Sequence, residues 1–126
     1  MKTLITLLFA RVVKKRNNKW INNPLETQDK TFNKLLLKAT NTEFGRDHNF
    51  SSIKNYEDFK NQVPIRDYEG LKPYIDKVVS GEKNILWPGQ PLYFAKTSGT
   101  TSGAKYIPIT KESIKTHINS ARDALL

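Results

Sequence analysis

The sequence has no cysteine and only two histidines among its 126 residues. Disulfides and thiolate chemistry are therefore excluded, and His48 and His117 alone are a poor basis for a histidine-rich metal site. Long apolar runs are also missing. The early run from Leu4 to Ala10 contains Thr6 and ends in bases, not in a small-residue cleavage site, which argues against a secretory leader. It falls far short of the roughly 20 residues that span a bilayer, so no transmembrane segment is expected. It reads as an amphipathic first helix, with weak peripheral membrane contact as a lesser alternative. Acids are scarce as well: 12 against 21 lysines and arginines, a formal charge of +9. Much of the excess lies in "RVVKKRNNKW", at Arg11, Lys14, Lys15, Arg16 and Lys19. This balance permits an anionic partner, but no zinc-finger, basic-zipper or aromatic RNA-binding pattern accompanies it. The cluster reads as a solvated helix face leading into a basic turn, with no nucleic-acid partner, and a cytoplasmic location fits the lack of cysteine.

At 37% hydrophobic and 26% charged residues, the chain has the composition of a folded domain. Asn23 and Pro24 form a helix entry, cap followed by a proline whose missing donor costs nothing there. Leu25, Phe32, Leu35, Leu36 and Ala39 follow at helical spacing as a core stripe. Asn55 is placed to cap a short helix with Phe59 turned inward, and Val63 before Pro64 is biased to extended backbone. Asp67 begins a turn into a further helix that starts within a turn of Gly70 and Pro73, with Gly81 as its left-handed stop. Leu92 to Ala95 reads as a short buried strand, with Trp87, Tyr93 and Phe94 as core and wall residues. Tyr106 to Ile109 reads as a second strand whose Pro108 calls for an edge or a bulge. Thr110 is placed to cap a last helix carrying Ile114, Ile118, Ala121 and Leu125 on one face.

Between the two strands lies "KTSGTTSGAKYIPIT". Gly99 and Gly103 admit unusual backbone angles and close approach of amides to a ligand. Thr97, Ser98, Thr100, Thr101 and Ser102 bring hydroxyl donors, and Lys105 adds a full positive charge at the rim. Such donors suit phosphate oxygens, although composition alone is equally compatible with a plain surface hairpin. The Walker pattern fails: the glycines are one residue too close, Ala104 intervenes before Lys105, and Tyr106 stands where a magnesium-binding hydroxyl is needed.

"TSGTTSGAK" resembles the phosphate-binding loop of adenylate-forming enzymes. Together with "NTEFGRDHNFSSI", "VPIRDYE" and "LWPG", in that order before the loop, it resembles the Gretchen Hagen, or auxin-responsive promoter, family of acyl-acid-amido synthetases. The resemblance runs from about Asn23 into the final helix. It implies an α/β fold, the N-terminal part of the large domain of an adenylate-forming enzyme, helix-rich before the first sheet strands. It also implies ATP and Mg2+, with the metal ligands outside this chain, and small carboxylic acid and amino acid substrates. Residue by residue, it assigns Thr97, Ser98, Gly99, Thr100, Thr101 and Gly103 to phosphate binding. Lys105 matches the lysine that follows the loop, with a charge-stabilising catalytic role. Because the last helix is still running at Leu126 and few strands are available, residues 1–126 read as the N-terminal portion of a larger domain, cut within a helix and inactive alone.

Two other readings stand beside this one: a small basic, non-enzymatic module that binds an anionic surface through its first helix, and an adenylating enzyme of the acyl-CoA-ligase type. His48 reads as a loop histidine bonded to nearby backbone and His117 as an exposed helix residue. Asp67, Glu69 and Asp76 have the spacing of caps and surface acids, not of a metal site.

Overall fold

The computed structural model describes residues 2–98 and 103–124, with the backbone alone at residues 2–5 and 19. Six α-helices and a late two-stranded antiparallel sheet follow one another as α1 (Lys2–Asn22), α2 (Pro24–Ala39), α3 (Glu43–Asp47), α4 (Tyr56–Gln62), α5 (Tyr68–Val79), β1 (Tyr93–Lys96), β2 (Tyr106–Ile109) and α6 (Lys111–Ala124). The helix-rich, then strand-bearing order is the one expected for the front of an α/β enzyme. The chain divides into two compact units, Met1–Phe32 with Glu112–Leu126, and Asn33–Lys111.

In the first unit, α1 contains neither glycine nor proline and runs unbroken to the residue before Asn23 and Pro24. The expected basic turn is therefore absent: Lys14, Lys15 and Arg16 lie within the helix, because nothing in "RVVKKRNNKW" breaks the backbone hydrogen-bond ladder. Among its described side chains Val13 is the buried apolar one, while Leu7, Leu8, Phe9 and Val12 are exposed. Arg16 pairs with Asp123 of α6, and the Arg122 guanidinium lies 5.5 Å from the Phe9 ring centroid. No helix among the described residues is long and apolar enough to cross a membrane.

The second unit has a more definite core of Leu36, Ala39, Phe50, Ile53, Ile75, Val78 and Ile85. Thr42 ties α2 to α3. Its hydroxyl donates to the Ala39 carbonyl at 2.7 Å and accepts the Gly45 N–H at 3.0 Å, capping α3. The other early amides of α3 are also satisfied, Glu43 N by Asn84 O and Phe44 N by Ile85 O, so a five-residue helix is held by its surroundings, not by propensity. His48 is buried, its Nδ1 2.8 Å from the Phe44 carbonyl and its ring stacked on Phe44, in keeping with the backbone-bonded reading.

Asn55 caps α4 by accepting from Asp58 N, and Asp67 caps α5 by accepting from Gly70 N. Gly81 takes the left-handed φ of 97° beyond α5. Pro73 lies inside α5, deeper than expected, and leaves the Glu69 carbonyl without its usual helical donor. The stripe on α2 is only partly a core: Leu36 and Ala39 are buried, whereas Leu25 and Leu35 are exposed.

The hairpin departs most from expectation. β1 begins at Tyr93 and is exposed throughout, with Leu92, Tyr93 and Phe94 all open to solvent. A strand is buried only when a second layer covers its faces, and none of the described residues supplies that layer for β1. For the same reason Ile118 and Ala121 on α6 are exposed, while Leu125 lies outside the described residues.

Candidate phosphate-binding loop

The hairpin pairs Tyr93 with Ile109, Phe94 with Pro108, Ala95 with Ile107 and Lys96 with Tyr106. Thr97 N donates to Lys105 O at 3.0 Å and carries the register one step further, while the Thr97 hydroxyl lies 3.4 Å from Lys105 N as its acceptor. The loop is thus closed at its neck by Thr97 and Lys105, the two ends of the predicted site.

Side chains alternate across a strand, so this register places Thr97 and Lys105 on one face of the hairpin and Lys96 with Tyr106 on the other. Two contacts agree with the second assignment. Lys96 Nζ lies 5.8 Å from the Tyr106 ring centroid, and Phe94 meets Tyr106 edge-on at 6.2 Å. On the opposite face Lys105 is half-buried, with Nζ 5.3 Å from the Tyr68 ring centroid. Lys96 and Lys105 are therefore not equivalent, and only Lys105 shares a face with the Thr97 hydroxyl.

Because Thr97 and Lys105 form a hydrogen-bonded pair, the alternate pairs of the ladder turn their N–H groups away from β1. Tyr106 N points outward and donates to the Tyr68 hydroxyl at 2.9 Å. Pro108, two residues on, has no N–H to leave unpaired. The expected edge position for Pro108 is the observed one, without a bulge at that pair.

Ser98 is exposed at the start of the loop, and Gly103 returns the chain at φ 81° with nothing within 4 Å of where a Cβ would stand. Gly99, Thr100 and Thr101 of the predicted site, with Ser102, lie outside the described residues. Along the chain the flanking charge has one sign: from Lys83 to Lys111 the sequence has four lysines and no acid. Hydroxyls, a left-handed glycine and a lysine at the neck suit an oxyanion. Among the described residues no group of three or more His, Asp or Glu side chains is gathered to hold a metal.

A family model described as the GH3 family N-terminal domain matches residues 13–125. The chain belongs to the GH3 family. Among relatives, the GH3 chain is 30% identical over 94 residues to the indole-3-acetic acid-amido synthetase GH3.2 of Arabidopsis thaliana, covering 73% of this chain and 17% of the relative. It is 31% identical over 99 residues to GH3.15 of the same plant, named likewise, covering 77% and 16%. It is 30% identical over 87 residues to the jasmonoyl-L-amino acid synthetase JAR4 of Nicotiana attenuata, covering 68% and 15%. This GH3 chain thus spans about a sixth of the length of the curated relatives it matches.

Of the residues assigned from sequence, Thr97 and Lys105 are brought together, and Ser98 and Gly103 are placed beside them. Tyr68 was not among them. It sits 38 residues before the amide that it accepts, and its one sequence signal was membership of the "VPIRDYE" stretch.

Proposed function

We propose that this chain is the N-terminal portion of an ATP-dependent acyl-acid-amido synthetase, with the hairpin loop as its phosphate-binding element. The reaction joins a carboxylate oxygen to the α-phosphorus of ATP with loss of pyrophosphate. An amino acid nitrogen then attacks the activated carbonyl, forming the amide, releasing AMP and giving up a proton. What carries the reading is the neck, where a hydroxyl and a lysine share one face of a glycine-bearing loop in a stretch without acids.

The difficulty in the first step is charge, since an anionic carboxylate must approach an anionic phosphate and more charge gathers on the departing pyrophosphate. Thr97 and Ser98 offer hydroxyl donors to phosphate oxygens, Gly103 lets backbone approach without a side chain in the way, and Lys105 supplies compensating charge. Fixing these donors beforehand spares their reorganisation during reaction. Gly99, Thr100 and Thr101 join them on the strength of the family resemblance. Magnesium is part of the proposal on the same basis, with protein ligands outside these residues. The relatives' names support a small carboxylic acid and an amino acid as substrates, and a cytoplasmic location completes the proposal.

The test is ATP–pyrophosphate exchange by the complete polypeptide that contains this chain. Lys105→Ala, and separately Thr100→Val with Thr101→Val, should lower acid-dependent exchange by about a hundredfold. Replacing Lys14 and Lys15 by glutamine should leave it within about twofold, since screened surface charges contribute little. Exchange left intact by the loop variants would overturn this reading, and absence of exchange in the unaltered polypeptide together with salt-dependent anion binding lost in the α1 variant would favour the basic, non-enzymatic module.

A further inference from the structure

We propose that Tyr68, at the first position of α5, is the positioning residue that fixes the C-terminal anchor of the loop and sets where Lys105 stands. The proposal rests on the phosphate reading of the loop and adds to it a residue from a distant helix.

Tyr68 makes two different contacts with two successive residues. Its hydroxyl accepts the outward N–H of Tyr106 at 2.9 Å, and its ring lies under Lys105 Nζ at 5.3 Å from the centroid. The first contact fixes the backbone where the loop becomes β2. The second holds an ammonium over an aromatic face, which attracts a cation without neutralising it. A carboxylate in that place would pair with Lys105 and compete directly with an anionic ligand. The ring instead holds the ammonium without pairing it and leaves its charge available.

Tyr68 is well placed to act as a reference point. Asp67 caps the helix at Gly70 N, Leu71 N reaches back to Asp67 O at 3.2 Å, and Ile75 and Val78 of the same helix are buried in the core. The anchor is therefore a helix start secured to the core, while the hairpin it steadies is largely exposed. Pro108 completes the arrangement, because the outward edge of β2 then has a single N–H to satisfy, and Tyr68 accepts it.

The experiment compares Tyr68→Phe, Tyr68→Leu, Lys105→Ala and the Tyr68→Leu/Lys105→Ala double variant in the full chain. Three readouts are used: amide exchange at Tyr106, the ring-current shift of the Lys105 side-chain protons, and affinity for inorganic tripolyphosphate. Urea midpoints verify that each variant is folded. In Tyr68→Phe, exchange at Tyr106 should quicken about tenfold while the Lys105 shift is kept. In Tyr68→Leu both should be lost and tripolyphosphate should bind about fivefold more weakly. In the Lys105→Ala background, Tyr68→Leu should add little, since its effect passes through that lysine. Unchanged Tyr106 exchange in Tyr68→Phe, or an equal affinity loss from Tyr68→Leu with and without Lys105, overturns the role of Tyr68 while tripolyphosphate binding itself stands. If the unaltered chain does not bind tripolyphosphate, the phosphate reading fails first and this role falls with it.

Discussion

Replacing Thr42 with valine tests the junction on which the second unit depends. The exchange nearly preserves shape, so no cavity accompanies it, and the loss is confined to one hydroxyl. That hydroxyl is buried at 1% exposure, donates to the Ala39 carbonyl at 2.7 Å and accepts the Gly45 N–H at 3.0 Å. The Ala39 carbonyl keeps a second donor, Thr42 N at 3.0 Å, so that half of the loss should be small, about 0.5 kcal/mol. Gly45 N is different. Gly45 is buried, and its amide is left with no acceptor, a cost of about 1–3 kcal/mol. We expect Thr42→Val to lower unfolding stability by about 2–3 kcal/mol, against about 1 kcal/mol for Thr42→Ser, which keeps the hydroxyl and loses one methyl. Urea unfolding with a common slope for all three proteins measures both. Valine proving no worse than serine would show that α3 does not depend on the Thr42 cap.

Two further outcomes follow from the same unit. At Gly45 an added methyl would run into the Ala39 carbonyl oxygen, which is backbone and cannot swing away. Gly45→Ala should therefore cost at least about 2 kcal/mol despite alanine's better helix propensity, and a stabilised Gly45→Ala protein in urea unfolding would disprove the close approach. The alkaline limb of stability should carry a signature of Tyr74 and Lys77. Burial, then the hydrogen bond to Asp47, raises the Tyr74 phenol, and the hydrogen bond to Glu43 raises the Lys77 ammonium. Both groups hold their proton more tightly when folded, so their contribution is complete below the ordinary values near 10 and is lost as pH rises through the folded ones. Chemical unfolding at stepped pH from 8 to 11.5 should show this fall, and Tyr74→Phe should flatten part of it; an identical slope in that variant would remove Tyr74 from the account.

Much of the local structure was legible because local chemistry enforces it. Asn55 and Asp67 cap the helices predicted for them, Gly81 ends α5 in the left-handed region, and the hairpin falls on either side of the loop. α3 was not legible, since its amides are satisfied by carbonyls about forty residues later and its cap depends on where α2 ends. Burial was the weakest inference. Periodicity marks which residues can share a face, but Leu25, Leu35 and Tyr93 are exposed because burial requires an opposing layer, and a pattern along one segment contains no information about that layer.

By itself the sequence determined the capped helices α4 and α5, the hairpin on either side of the loop, the hydroxyl-and-glycine chemistry of that loop, its charge and the family resemblance, all of which are written in neighbouring residues. Tertiary structure alone decided that Lys105 stands opposite Thr97 on the same face, because strand register, not sequence distance, pairs residues across the hairpin. It alone brought Tyr68 beneath Lys105 and onto the Tyr106 amide. A contact across 38 residues exists only once a capped helix and a paired strand have been packed against each other, and no local preference encodes that distance.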